Sequence, residues 1–444
     1  MTARRLPLLV FLLIGLTGGR LATSQAPGGA PAKPTFPPND PVTRAMTAVD
    51  NKGGGNETGP YDVVANWPQN YCGNGFVIGA TAGILAESPD RVFIFSRGCL
   101  PVLQDTRTPA ENFIPARNAA NFDLSQADAT RHPRWDHIVN VVDRNGRLIE
   151  SWEQHNKLFI RPHRVQINPY DPERHVWLVD DGAHSIYKFT NDGKKLVMTL
   201  GEFKVPGDDQ RHFARPTEIA WLPDGTFFVS DGYTNTRVVK FDPSGKFLMA
   251  WGMKGNEPIE TRPNYMNTVH AIAIDAKRRV YVSDRANSRV QVFDENGKFL
   301  DVWPGIRRPY SFLMSADQHL WIADGNTQKI LKYDLNGRLL FSWGTFGQFP
   351  GGFWGVHQFS VDSEGSLYTA DVHIGRPQKF RPKPGASRDQ LVGAPVPLTA
   401  RKYTRVGIVW DEPSAPSPPL PPHSRSPPRR PRTIARPYST CAPR

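Results

Sequence analysis

Cysteine is scarce, with three in 444 residues, too few for a small domain stapled by disulfides in place of a core. Long apolar runs are missing as well. The longest follows Arg4-Arg5 and covers residues 6–16, short of the roughly 20 residues that a membrane-spanning helix needs. Acid is absent from both ends of the chain, and that decides what the formal charge of +12 means. Arg4, Arg5 and Arg20 stand unopposed in residues 1–26 and six arginines in residues 413–444, which leaves only +3 for everything between. A folded region so near neutrality has no phosphate-binding footprint, and no helix-turn-helix, zinc-finger or RNA-recognition motif accompanies it. Nucleic acid is set aside as a partner. With 38 glycines and 42 prolines, the chain is interrupted too often for a helical bundle.

The start reads as an export signal over residues 1–26: a basic pair, a short apolar run, then Ser24-Gln25-Ala26, whose small residues suit cleavage. The mature chain is therefore expected to be secreted, extracellular or periplasmic, with no stable membrane span. In that oxidising space Cys72 and Cys99 can form one disulfide, leaving Cys441 over. Residues 27–75 form a Pro/Gly-rich linker and lead-in. Residues 411–444, with eleven prolines from position 413 onward, read as a disordered Pro/Arg-rich tail.

Between them a pattern recurs: Trp177-Leu178-Val179-Asp180, Phe228-Val229-Ser230-Asp231, Tyr281-Val282-Ser283-Asp284, Trp321-Ile322-Ala323-Asp324 and Tyr368-Thr369-Ala370-Asp371. The aspartates are spaced 51, 53, 40 and 47 residues apart. Most copies continue into a second apolar run, an Asn/Asp/Ser-Gly turn, then Leu or Met before Trp-Gly. Repeated short strands at a period near forty are blades of a β-propeller. Val92-Phe93-Ile94-Phe95-Ser96-Arg97 is a degenerate sixth copy, so an all-β, six-bladed propeller is expected over residues 76–410, with 403–410 as the candidate sealing strand. The repeated aspartate is expected to cap a turn.

Counting back from these aspartates, His270 lies fourteen residues before Asp284 and His357 fourteen before Asp371. His163 holds the same strand position in a blade whose turn is lengthened by Asp171-Pro172-Glu173-Arg174, while Thr217 and Tyr310 hold it in blades three and five. Histidine thus falls in blades two, four and six, about 120° apart around a six-fold ring, on the strand that lines the central channel. Three imidazoles converging with an open fourth position are the donor set of a catalytic zinc. Tyr233 and Arg97, each near the repeat-aspartate register, reach the same mouth, one as a candidate base and the other as a forked donor for a carboxylate. His184 and His373 follow their aspartates at different offsets and are read as flanking or surface residues.

These residues resemble the NHL-repeat propellers and, within them, the peptidyl-α-hydroxyglycine α-amidating lyases. The resemblance spans roughly residues 76–380 and rests on Val92-Phe93-Ile94-Phe95-Ser96-Arg97-Gly98, Pro162-His163, Phe228-Val229-Ser230-Asp231-Gly232-Tyr233, Val269-His270-Ala271-Ile272-Ala273, Asp284-Arg285-Ala286-Asn287-Ser288-Arg289 and Val356-His357. It implies zinc on His163, His270 and His357, Tyr233 as general base and Arg97 as carboxylate anchor. The implied reaction cleaves a peptidyl or N-acyl α-hydroxyglycine to an amide and glyoxylate. It further implies a structural calcium in the channel, bound partly by the Val165 carbonyl and residue 358. Gln358, however, stands where the family has aspartate and brings an oxygen without the charge. Thr234 and Gly355 likewise replace a family cysteine and methionine. No hydroxylating partner domain fits the linker or tail, so the hydroxyglycine is expected to come from another protein or from small N-acylglycines.

A second reading is a secreted propeller that binds a protein or glycan without chemistry, and it gives no reason for three imidazoles at the axis. A third, a calcium-dependent lactonase, calls for clustered Glu, Asn and Asp where the histidines stand.

Overall fold

Strand, turn and strand alternate along the chain as the repeats predict, and the computed structural model, which describes residues 57–101, 133–256 and 260–398, closes them into six four-stranded sheets. The stretches expected to be an export signal (residues 1–26) and a tail (residues 411–444), and Cys441, lie outside the described residues. Blades two to five each use four consecutive strands; the second, for example, runs Pro162–Ile167, Val176–Asp180, Ser185–Phe189 and Leu196–Leu200. Blade one is built from Thr81–Ser88, Arg91–Ser96, Val139–Val142 and Leu148–Ser151. Among the described residues no helix is long and apolar enough to cross a membrane.

Sheet faces bury against their neighbours through six apolar clusters, one at each junction, such as Ala271, Tyr281, Ile322 and Leu331 between blades four and five. A specific contact repeats around the ring. The Trp that ends one blade lies on the turn glycine of the next, so that a Cβ on Gly297 would come 2.8 Å from Trp251 and one on Gly337 2.5 Å from Trp303. The Asn/Asp/Ser-Gly turn is therefore required twice, for its positive φ and as a seat for the indole.

The repeat aspartates act as expected, as structural caps. Asp180 accepts the backbone N–H groups of Ile160, Arg161 and Ala183, Asp231 that of Ala214, and Asp284 that of Asn267, each tying the loop that enters a blade to its second strand. Desolvation pushes the Asp231 and Asp371 carboxyls up to about 6.

Closure comes from the N-terminal side. The sixth blade supplies Val356–Val361, Leu367–Asp371 and Arg376–Pro382, and its outer position is taken by Tyr61–Val63, antiparallel to Arg376–Pro382. This places a ring-sealing strand inside the stretch read as linker and lead-in, whereas the expected sealing strand at 403–410 lies outside the described residues. Gly59 seats Trp343 of blade five, so residues 59–67 repeat the Gly-strand-Trp unit in degenerate form. Cys72 and Cys99 are joined as a disulfide, with Cα atoms 5.7 Å apart, tying this segment to blade one.

Tyr61 is fully buried against Trp343 and Phe380, and its hydroxyl accepts the Val392 N–H. Tyr61→Ala is expected to cost about 3–5 kcal/mol, the range for a large aromatic removed from a core. Urea denaturation checks it; a loss under about 1 kcal/mol would mean that the ring is sealed by other contacts.

Candidate metal centre and active site

Each inner strand carries a β-bulge at the same place. The ladder slips between Pro162 and Arg164, between Val269 and Ile272 and between Val356 and Gln358, and at matching points in the other three blades. A bulge leaves one residue unpaired and re-aims its side chain. In blades two and six that residue is His163 and His357, and in blade four the unpaired stretch is His270 and Ala271. The three buried rings meet with centroids 4.9, 4.4 and 4.8 Å apart, and their ligand nitrogens all lie within 4.8 Å of one another.

The other three blades orient them. His163 Nδ1 is 2.7 Å from the Thr217 carbonyl, His270 Nδ1 2.7 Å from that of Tyr310 and His357 Nδ1 2.9 Å from that of Ala82. Thr217, Tyr310 and Ala82 hold the histidine position in blades three, five and one. A carbonyl only accepts, so each Nδ1 carries the proton and each Nε2 turns a lone pair toward the axis. Burial, reinforced by neighbouring positive groups, holds all three imidazoles well below their usual value. They are neutral donors, each oriented through its other nitrogen, as metal-binding histidines are. The cluster can hold a metal ion.

Tyr233 stands over this group. Its hydroxyl is 2.8 Å from His270 Nε2 and 3.3 Å from His163 Nε2. The preceding Gly232 allows the approach, because a Cβ there would overlap the Val269 carbonyl of blade four. The Arg215 carbonyl accepts the Tyr233 N–H, and the Arg215 guanidinium lies 4.1 Å from the phenol ring centroid. Arg285 and Arg161 flank the same ring at 4.9 and 5.3 Å. Arg97 is buried beside them, its Nε donating to the Pro162 carbonyl. His184 accepts the Arg215 N–H, and exposed His373 packs on Gly355 in the space that a side chain at 355 would need.

The channel beyond the histidines does not suit calcium. Gln358 turns its amide on Val165, donating to the Val165 carbonyl at 2.8 Å and accepting the Val165 and Ile84 N–H groups at 3.3 and 3.2 Å, so the two expected ligand oxygens are engaged within the protein. A positive charge is already present. Arg164 bonds Glu218 and, at 2.8 Å, the His357 carbonyl, while the other Glu218 oxygen accepts the Ile272 N–H. Both partners are buried, and desolvation pushes the Glu218 carboxyl up to about 7 against the lowering pull of Arg164.

Of the residues expected from sequence, His163, His270, His357, Tyr233 and Arg97 are brought to one mouth. Val165 and Gln358 lie in the channel but bind each other. Sequence reasoning missed Arg161, Arg215, Arg285, Asp181 and the Arg164–Glu218 pair. The doubled Asp180-Asp181 was a visible departure from the repeat.

The fold and this cluster define a class, a six-bladed β-propeller with a three-histidine axial site, and residues 266–293 match the NHL repeat. Among curated proteins the chain is similar to Peptidyl-glycine alpha-amidating monooxygenase B of Xenopus laevis, 26% identical over 73% of the chain and 36% of that protein. It is also similar to the Caenorhabditis elegans protein named probable peptidyl-alpha-hydroxyglycine alpha-amidating lyase pgal-1, 37% identical over 35% of the chain and 42% of that protein. A third relative, Peptidyl-alpha-hydroxyglycine alpha-amidating lyase 1 of Drosophila melanogaster, is 35% identical over 36% of the chain and 30% of that protein. The matches span less than half of each relative's length.

Excess calcium is expected to leave the melting temperature unmoved, whereas a cation held a hundredfold above its Kd would add about 2.7 kcal/mol. Arg164→Met should cost about 3–5 kcal/mol at pH 8, because Glu218 is left buried without its partner. The loss should shrink toward pH 5. An unpartnered carboxyl with a raised folded pKa is protonated in the native state at little cost when pH is low, and stability falls as pH rises from the unfolded value near about 4.3 through the folded one. Urea melts across this range check the sign.

Proposed function

We propose that the chain is a secreted, zinc-dependent lyase that cleaves peptidyl or N-acyl α-hydroxyglycine to an amide and glyoxylate. One observation carries the reading: three neutral imidazoles aim Nε2 at the channel axis, with the Tyr233 hydroxyl 2.8 Å from one of those nitrogens. The relatives named as α-hydroxyglycine amidating lyases support it. Bound on His163, His270 and His357, zinc supplies Lewis acidity for an oxygen ligand at an open position.

The chain's own residues do the rest. Arg97, held at the cleft wall by the Pro162 carbonyl, receives the substrate carboxylate as a charge-assisted pair. That fixes the carbinol carbon between the histidines and the phenol. Tyr233, acting as the phenolate, takes the hydroxyl proton; as the C=O forms, the C–N bond breaks, and the phenol returns that proton to the nitrogen, which leaves as the amide. Glyoxylate remains on Arg97. The site needs no strong nucleophile, since the reaction is an elimination from a carbinolamide.

Elemental analysis should find about one zinc per chain, lost when all three histidines become Ala. Glyoxylate release from α-hydroxyhippurate should fall by about 10²-fold or more in kcat for Tyr233→Phe. Arg97→Ala should weaken use of the substrate by about 2–4 kcal/mol in kcat/KM. No chelation-sensitive release above the spontaneous rate would favour a binding scaffold, and full activity in Tyr233→Phe would remove the phenol as the base.

A further inference from the structure

In three blades an Arg-Pro pair enters the inner strand, at Arg161-Pro162, Arg215-Pro216 and Arg308-Pro309, each proline being the strand's first residue. The arginine therefore ends the loop at the mouth, two residues before the histidine register. Two of these arginines share one buried anion. Asp181 accepts Arg161 at 2.9 and 2.6 Å and Arg215 at 3.1 and 2.8 Å. Both guanidiniums flank the Tyr233 ring, and both remain partly open, with side chains 23% and 28% exposed.

The charges at this mouth do not cancel. Arg97, Arg161, Arg215 and Arg285 face Asp181; Asp180 is spent on backbone N–H groups, and burial pushes its carboxyl up to about 7. Each of Arg161 and Arg215 gives Asp181 two of its five N–H donors, and among the described residues the remaining donors meet no acceptor. One substrate carboxylate on Arg97 leaves this pair unanswered.

Resting on the lyase reading, we propose that Arg161 and Arg215, clamped by Asp181, form a second anion subsite beside Tyr233, which selects substrates bearing an additional carboxylate on the acyl side of the hydroxyglycine. An acidic residue before the hydroxyglycine, or a dicarboxylic acyl group, supplies it. Asp181 holds the two guanidiniums in place, so their open edges are ordered before the ligand arrives.

The test compares N-succinyl- with N-butyryl-α-hydroxyglycine, equal in chain length and different by one carboxylate, on the full zinc-loaded chain, together with calorimetric binding of succinate and butyrate. Wild type should favour the succinyl compound by about tenfold or more in kcat/KM, mainly through KM, and succinate should bind at least that much tighter than butyrate. Both preferences should weaken as salt is raised. Arg215→Gln and Arg161→Gln, each leaving Asp181 one partner, should lower them several-fold, and Arg215→Lys should restore part of the loss. Equal treatment of the paired ligands by wild type, or a preference unchanged in both Gln variants, overturns the subsite. If no glyoxylate is released while succinate is still preferred in an Arg215-dependent way, the lyase reading falls and the anion subsite stands.

Discussion

Three hydrogen bonds from imidazole Nδ1–H to a carbonyl on the next blade govern the site. Each fixes a tautomer, turns an Nε2 toward the axis and couples the histidine to its neighbouring sheet. Because the bonds run from blades two, four and six to blades three, five and one, the geometry of the cluster is a property of the closed ring. The bulge that aims the histidines recurs where no histidine stands. There the same backbone distortion presents a carbonyl in place of a side chain, so one scaffold feature does two alternating jobs.

The blades and the histidine register were legible because they are periodic. A blade buries both faces, so its strands read as apolar runs at a fixed spacing, and a side chain required at the axis must recur in that frame. Thr217 and Tyr310 were visible in the register as the residues that interrupt the histidines, but their contribution is a backbone carbonyl, which leaves no mark on residue type. The sealing strand was hidden for another reason. Residues 59–67 keep the seat glycine and the Trp but lengthen the segment between them and sit among polar, Pro/Gly-rich sequence, while their partner Arg376–Pro382 is more than 300 residues away. Non-local pairing carries no local signature.

The charged residues illustrate the opposite limit. Counted along the chain, positive charge belongs to the two ends; in space, four arginines from blades one to four and their entry loops converge on one phenol. Formal charge per segment could not show this, because an acid adjacent in sequence can be engaged elsewhere in space: Asp284, next to Arg285, accepts the Asn267 N–H and the Arg289 guanidinium.

The channel makes the same point with an interior cation. The carbonyl of Val165 and an oxygen at 358 suit a hard metal ion only if both face the axis unengaged. Once the residue beside Val165 is an arginine long enough to reach the His357 carbonyl and Glu218, the positive charge is supplied covalently and the Gln358 amide can close on Val165 as a neutral partner. An aspartate at 358 could accept the Val165 N–H but could not donate to its carbonyl, and would place a second acid beside Glu218. Gln358, Arg164 and Glu218 are thus one self-consistent set, in which the guanidinium and the carboxylate answer each other's hydrogen bonds and the neutral amide answers those of Val165 beneath the histidines.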